Sequence, residues 1–206
     1  MPQKRQISAA DIVDCAIDLM AEVGFARFSA LQVAKAYGIR QSHLTYYFPS
    51  RDDLLAAMSE RLTKRYEDLV SAWCLSAMQR SANPMADLID QLILDAVSPP
   101  TSILFPALWE AANKDSNMAA ALDRIYYSSQ ARLIEMLGAD PAAPESRRLR
   151  EVIQMLATVI EGCTGIYGRR GPHDGEVTQL RETVKDLLLP AFKEALERIP
   201  NAKSAN

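Results

Sequence analysis

The sequence predicts an all-α protein of about nine helices. Three observations carry this. Apolar residues recur at helical spacing through almost all of the 206 residues. No run alternates apolar and polar residues between turn signals, as a half-buried strand would. Ser, Asp, Gly and Pro fall at the joints between the periodic stretches, where helices are capped and broken. A composition of 49% hydrophobic and 24% charged residues is that of a folded globular chain.

The elements follow in order. Ser8 opens the first helix with Asp11 three residues on, a capping-box-like start with acid near the positive helix end. Ile12, Ala16, Ile17, Met20 and Val23 form its apolar stripe, and Gly24 stops it. Ser29 and Gln32 make an S-x-x-Q capping box for the second helix, where Val33, Ala34 and Tyr37 can pack inward before Gly38 ends it. Pro49 limits the third helix to about eight residues, Gln41 to Phe48. Ser50 and Asp53 then cap a long fourth helix with Leu54, Met58, Leu62 and Leu69 on its buried side. Pro84 breaks the pattern. Five more helices are expected at 85–97, 102–113, 117–138, 146–168 and 175–198, with Pro106 early in the sixth and Pro190 bending the last. The first three or four helices form a small unit, and the rest have apolar surface for one larger core.

Several function classes drop out. Cys15, Cys74 and Cys163 are far apart and odd in number, which fits packing in a reducing cytoplasm and gives no disulfide framework or zinc site. MPQKRQISAADIV has no apolar signal core, and no stretch has the ~18 uninterrupted apolar residues of a membrane span. The tail NAKSAN is polar and expected to fray. His43 and His173 are far apart, with no H-x-x-x-H or H-E-x-x-H, so neither a metal site nor acid–base chemistry is indicated. There is no Ser-His-Asp grouping and no Gly-rich phosphate loop. The chain reads as a non-enzyme needing no cofactor.

Net charge is −3, yet the charge is unevenly placed. From Val23 to Arg51 there is no Asp or Glu, while Arg27, Lys35, Arg40 and Arg51 give a local charge of +4. Asp11, Asp14, Asp18 and Glu22 all lie on the first helix, and acids return at Asp52 and Asp53. A carboxylate-free basic face is what a phosphate backbone requires, although a solvated basic face has the same composition. The third helix is too short and polar to be a core element. Leu44 and Phe48 can anchor it, which leaves Arg40, Gln41, Ser42, His43, Thr45 and Tyr47 without a core to join. Gln, Ser and Thr hydrogen-bond base edges, and Arg reads guanine bidentately. Two short helices around a glycine turn, here 30–37 and 41–48, are the helix-turn-helix pattern.

Residues 9 to 55 resemble the DNA-binding domain of the TetR family of bacterial transcription regulators. The resemblance rests on IVDCAIDLMAEVGF, on SALQVAKAYGI and most specifically on LTYYFPSRDDLL. It implies an N-terminal three-helix helix-turn-helix DNA-binding domain, residues 1–55, and a larger C-terminal helical ligand-binding and dimerisation domain, 56–206. It also implies that Ser29 contacts phosphate, that Gln41, Ser42 and His43 face the groove, and that Thr45 and Tyr46 touch the backbone with Tyr47 beside them. Arg51 falls where the family has a phosphate-binding lysine. Three positions depart from the family pattern. Arg40 replaces a Ser or Thr N-cap, a change worth on the order of 1 kcal/mol, and can cap, read a base or bind phosphate. Thr45 stands where tyrosine is common, and Gln41-Ser42 replace a frequent Lys-Gly pair. Lys4 and Arg5 form either a basic arm or a plain tail.

The family resemblance implies a homodimer through the last two helices, and the sequence agrees independently. REVIQMLATVIEGCTGIYGRR is apolar on most of its circumference, with Gly162, Gly165 and Gly168 repeating every third residue. Ile153, Leu156, Ile160 and Cys163, with Val184, Leu188 and Phe192 of the last helix, are the interface candidates, though burial within one subunit would also account for them. Effector-pocket candidates are Phe105, Trp109, Glu110, Asn113, Tyr126, Tyr127, Met155 and Tyr167, which mix large apolar faces with polar ends. Each also suits a core position. Glu110 and Glu161 sit on otherwise apolar stretches, and a buried carboxylate needs a cationic partner or ligand, a hint of a basic or hydroxylated effector.

The expected function is ligand-responsive transcription regulation in the cytoplasm, as a repressor. A homodimer would bind a double-stranded DNA operator and be released by an unidentified small-molecule effector, with no membrane partner. The alternatives are a dimeric helical interaction protein and an enzyme using the C-terminal pocket.

Overall fold

The computed structural model describes residues 8–99 and 101–199. Lys4, Arg5 and the whole NAKSAN tail lie outside the described residues. Among those described there are nine α-helices and no strand: α1 Ala9–Val23, α2 Ala30–Tyr37, α3 Gln41–Tyr47, α4 Arg51–Arg80, α5 Pro84–Ala96, α6 Thr101–Ala112, α7 Ser116–Met136, α8 Arg147–Tyr167 and α9 Gly175–Glu197. Short 3-10 turns occupy Phe25–Arg27 and Pro144–Ser146. No single described helix is long and apolar enough to cross a membrane.

The caps explain most of these limits. Ser29 Oγ accepts from the Gln32 N–H at 3.4 Å and donates to Gln32 Oε1 at 3.1 Å, closing the start of α2. Gly38 adopts φ 81°, which lets the Ile39 N–H reach back to the Ala34 carbonyl at 2.9 Å and ends α2 in a left-handed turn. At α4 the box is reciprocal: Ser50 N–H donates to Asp53 Oδ2 at 2.9 Å and Asp53 N–H to Ser50 Oγ at 3.1 Å. Asn83 accepts from the Ala86 N–H, with Pro84 as the first residue of α5.

Two local expectations fail. Ser8 makes no side-chain capping bond, and the Asp11 carboxylate, rather than reaching back to it, accepts from the Tyr37 hydroxyl at 3.4 Å. Leu69 is only half-buried. The inward line of α4 advances strictly by four residues, through Met58, Leu62, Tyr66, Val70 and Cys74.

By their contacts the residues fall into two compact units, 1–64 with 103–124, and 65–102 with 125–206. In the first unit α1, α2 and α3 pack around Ile12, Ile17, Met20, Val33 and Leu44, joined by Leu54, Leu55 and Met58 of α4. Leu104, Leu108 and Ala111 of α6 and Met118 of α7 are buried in this unit as well. A bidentate Arg61–Asp14 pair, at 2.8 and 2.7 Å, ties α4 to α1 on the surface.

In the second unit α5, α8 and α9 pack mutually around Ile89, Ile93, Ile153, Leu156, Val184 and Phe192. Asp90 of α5 accepts from Arg181 Nε at 3.0 Å and Lys185 Nζ at 3.1 Å of α9. Burial alone would raise the Asp90 pKa, but these two cations outweigh it and hold the carboxyl below its usual range. The Thr164 hydroxyl donates to the Ala96 carbonyl at 3.1 Å in the interior and locks α8 to the end of α5. α9 continues past Pro190 to Glu197.

Candidate nucleic-acid interface and interior polar cluster

The α3 helix has one inward side chain, Leu44, at 2% exposure. Phe48, expected as its second anchor, is half-buried. With Leu44 fixed, helical geometry turns Gln41, Ser42, His43, Thr45 and Tyr46 outward, and all five are exposed. Tyr46 is the extreme case at 82%. An aromatic ring held in water has no packing rationale within the unit. Tyr47 is half-buried and meets Tyr46 edge-on, with ring centroids 5.3 Å apart. The Thr45 hydroxyl donates to the Gln41 carbonyl at 3.0 Å, so its proton is spent within the helix and it can offer only acceptor capacity.

Arg40 occupies the N-cap position in an extended backbone conformation and makes no side-chain capping bond. Its guanidinium has no acceptor to offer the helix N–H groups, and the residue is exposed. Arg51 is half-engaged. Its guanidinium lies 4.7 Å from the centre of the Phe25 ring, and one nitrogen stands 4.0 Å from Asp115, while the side chain remains 44% exposed. Ser29 is half-buried and committed to its capping box.

Three acids of α1, Asp11, Asp14 and Asp18, line a cleft with Cys15, Ala36 and Tyr37 between α1 and α2. The stretch between Val23 and Arg51 carries no carboxylate of its own.

The eight effector-pocket candidates divide between the units. Phe105, Trp109, Glu110 and Asn113 belong to the first; Tyr126, Tyr127, Met155 and Tyr167 to the second. Phe105 is buried and packs edge-on to Trp109, at 6.3 Å between centroids. Asn113 is exposed. Glu110 accepts from the Phe25 backbone N–H at 3.1 Å and from Lys114 at 2.7 Å. Its pKa is lowered, first by the Lys114 hydrogen bond and then, against a small burial effect, by the same cation's charge and the N–H groups of Phe25 and Ala26. Tyr127 and Met155 face outward, at 73% and 56% exposure. Tyr126 and Tyr167 are half-buried.

The dimer candidates also divide. Ile153, Leu156, Cys163, Val184 and Phe192 are buried in the protomer's own core, and burial pushes the Cys163 thiol up to about 11. Only Ile160 and Leu188 are half-exposed. Met155 and Ile166 are exposed on α8, with Val159 and Gly162 half-buried between them, and Leu187 is exposed on α9. A Cβ added to Gly162 or Gly165 would meet no other atom within 4 Å, whereas one on Gly168 would come within 2.8 Å of the Ser102 side chain. Of the three glycines, Gly168 is the one required by packing inside the chain. The sequence pattern shows two apolar faces on α8 without distinguishing inner from outer.

Sequence reasoning missed a chain of polar groups inside the second unit. Thr101 Oγ1 donates to Asp95 Oδ2 at 2.8 Å, and the Tyr66 hydroxyl is hydrogen-bonded to the same Thr101. A threonine has one hydroxyl proton, already spent on Asp95, so Tyr66 is the donor. Burial pushes the Tyr66 phenol up to about 12 and raises Asp95. Glu161 of α8 lies near enough to Tyr66 to act on its charge. Burial lifts the Glu161 carboxyl to about 7, partly offset by a hydrogen bond with the Tyr126 side chain. Its position in an apolar stretch was the only visible signal.

Comparisons with known proteins agree with this architecture. Residues 12–58 match the family described as bacterial regulatory proteins, tetR family. Over 170 residues the chain is 25% identical to an HTH-type transcriptional regulator of Mycobacterium tuberculosis, covering 81% of this chain and 85% of that one. Among solved structures, a transcriptional regulator of Streptomyces coelicolor A3(2) superposes with a TM-score of 0.62 at 21% identity, covering 86% of this chain and 95% of that one. The multidrug binding protein EbrR, complexed with malachite green, superposes with a TM-score of 0.61 at 18% identity, covering 91% and 99%.

Proposed function

We propose that this chain, whose residues 12–58 match the tetR family of bacterial regulatory proteins, is a cytoplasmic, homodimeric repressor. It binds a pseudo-palindromic operator and leaves it when a small-molecule effector binds. The observation that carries this reading is α3: one buried anchor, Leu44, and an outward row of Gln41, Ser42, His43 and Tyr46 in a stretch without carboxylates. Such a helix can place amide, hydroxyl and imidazole groups against base edges in a major groove. Arg40, Tyr46, Tyr47 and Arg51 serve the phosphates, and Ser29 and Thr45 join them by turning their hydroxyls away from Gln32 and Gln41. Residues 1–55 form the reading domain and 56–206 the responding one.

Two copies are needed because a single seven-residue helix reads only a few base pairs. A symmetric dimer sets two such helices about 34 Å apart, one turn of DNA. The exposed apolar residues Met155 and Ile166 on α8, flanking half-buried Gly162, with Leu187 on α9, support dimerisation through these helices. EbrR, solved with malachite green, supports a small-molecule effector for this chain as well. Release follows if the effector binds more tightly to a form whose helix spacing does not fit the operator.

Footprinting on the DNA flanking the protein's own gene, with the mass of the protein–DNA complex measured in parallel, tests the reading. A symmetric footprint occupied by two protomers is expected. A protein that protects no fragment, or that binds as a monomer, overturns it.

A further inference from the structure

Five helices of the second unit send polar groups into its interior. Tyr66 comes from α4, Asp95 from α5, Thr101 from the start of α6, Tyr126 from α7 and Glu161 from α8. Asp95 is satisfied by Thr101, which is in turn served by Tyr66. Glu161 is not. Its Oε2 is sealed from solvent and has no hydrogen-bond partner, and among the described residues no cation pairs with it. The hydroxyls of Ser128 and Ser129 on α7, next to Tyr126, are also buried without partners. Arg65 bears on Asp95 and Tyr66 and is itself exposed.

A buried acceptor left unmade is costly, and a buried charge costs more unless it is paired. A neutral hydroxyl donor would supply the hydrogen bond and leave the charge. An N–H donor carrying a positive charge answers both deficits. We propose that the interior of the second unit, where Glu161, Tyr66 and Tyr126 converge, binds an organic cation bearing an N–H donor, with Glu161 Oε2 as its counter-ion. The choice of this cation as the effector rests on the regulator reading above; the binding site itself does not. Glu161 is also poised for the exchange. With its carboxyl at about 7, losing its proton at neutral pH costs almost nothing, so the cation replaces the proton without a large penalty.

The test uses the full-length protein and three pairs of probes alike in shape and opposite in charge: benzylamine and phenylacetate, tryptamine and indole-3-acetate, rhodamine 6G and fluorescein. Binding is measured by equilibrium dialysis and calorimetry. In at least one pair the cation binds and the anion does not. Glu161→Gln weakens that cation by about 10- to 100-fold, the loss expected for a charge-assisted hydrogen bond. Glu161→Asp keeps the charge and retains the preference for cations, which decides the matter should the Gln variant not fold. Affinity of the native protein falls about tenfold per pH unit well below 7, as proton and cation compete. The proposal is overturned if no cation binds, or if the cation binds the Gln variant as tightly as the native protein. Operator binding, followed separately, keeps the two readings apart. A bound cation that leaves the operator complex intact removes its role as effector while the site stands. Release by an uncharged or anionic compound alone removes this site as the effector site while the regulator stands.

Discussion

Glu110 Oε2 accepts the backbone N–H of Phe25 at 3.1 Å, across 85 residues of sequence. The contact closes a turn that few side chains could reach. Gly24 adopts φ 76°, and a Cβ there would lie 3.2 Å from the same carboxylate oxygen. The turn Phe25–Arg27 stands immediately before Ser29, the cap of α2. Phe25 also carries the Arg51 guanidinium on its ring, and Arg51 faces Asp115. One carboxylate on α6 therefore braces the entry to the helix-turn-helix. Glu110→Ala is expected to free the Phe25 amide, seen as faster hydrogen exchange at that residue, and to weaken operator binding several-fold. Glu110→Gln keeps an acceptor oxygen and retains most of both. Unchanged exchange at Phe25 in the alanine variant would remove this role.

The outward residues of α3 and the start of α4 should separate by role. His43→Ala is expected to change which operator sequences are preferred, with little effect on a random fragment. Arg51→Ala weakens binding to all sequences and lowers the salt slope by about 1. Because Arg51 also lies over Phe25, Arg51→Lys restores the charge and the slope but only part of the affinity. A salt-titration series on specific and random DNA measures both, and equal effects from His43 and Arg51 would refute the division.

Gly162 and Gly168 should behave oppositely. A side chain at Gly162 meets open space in the protomer, and replacing a helical glycine gains up to about 1 kcal/mol of helix stability. Gly162→Leu is therefore expected to leave the unfolding midpoint of the protomer unchanged or higher while weakening the dimer, read by sedimentation equilibrium. Gly168→Ala forces a Cβ against Ser102 and lowers the unfolding midpoint. A Gly162 variant that dimerises as well as the native protein would move the interface off this face.

Glu161 sets a pH dependence of stability. Its folded pKa of about 7 lies above the ordinary value of 4.5, so the folded state holds the proton more tightly. The extra stability is fully present below about pH 4.5 and is lost as the pH rises through 7. The loss is at most on the order of 3 kcal/mol. Glu161→Gln cannot ionise. It is expected to match the native protein near pH 4 and to exceed it at pH 8, measured by urea unfolding at both. A native protein whose stability does not fall across this range contradicts the buried carboxyl.

How much of this was legible beforehand varies with the range of the interaction. The limits of α2 and α4 were readable because Ser29 with Gln32 and Ser50 with Asp53 are partners three residues apart. Gly38 needed only its own positive φ to be recognised as a stop. Ser8 looked the same in sequence, yet Asp11 turned to Tyr37 of the next helix, a choice made by how α1 and α2 approach each other. The polar row on α3 was legible for a different reason. A seven-residue helix has room for one buried anchor, so the remaining polar residues had to face out.

The sequence by itself determined the order of the helices and most of their ends, the basic stretch without carboxylates and the exposure of α3. These depend on helix periodicity, capping and charge, which act within a few residues. Only the tertiary structure decided which face of α8 turns inward, that Glu110 braces Phe25, and that Glu161 Oε2 is left without a partner while Asp95 finds Thr101. A helix has the same period whether its apolar face meets its own core or another subunit. A buried polar group's partner is set by which distant helix comes within 3 Å, and no local pattern encodes that approach.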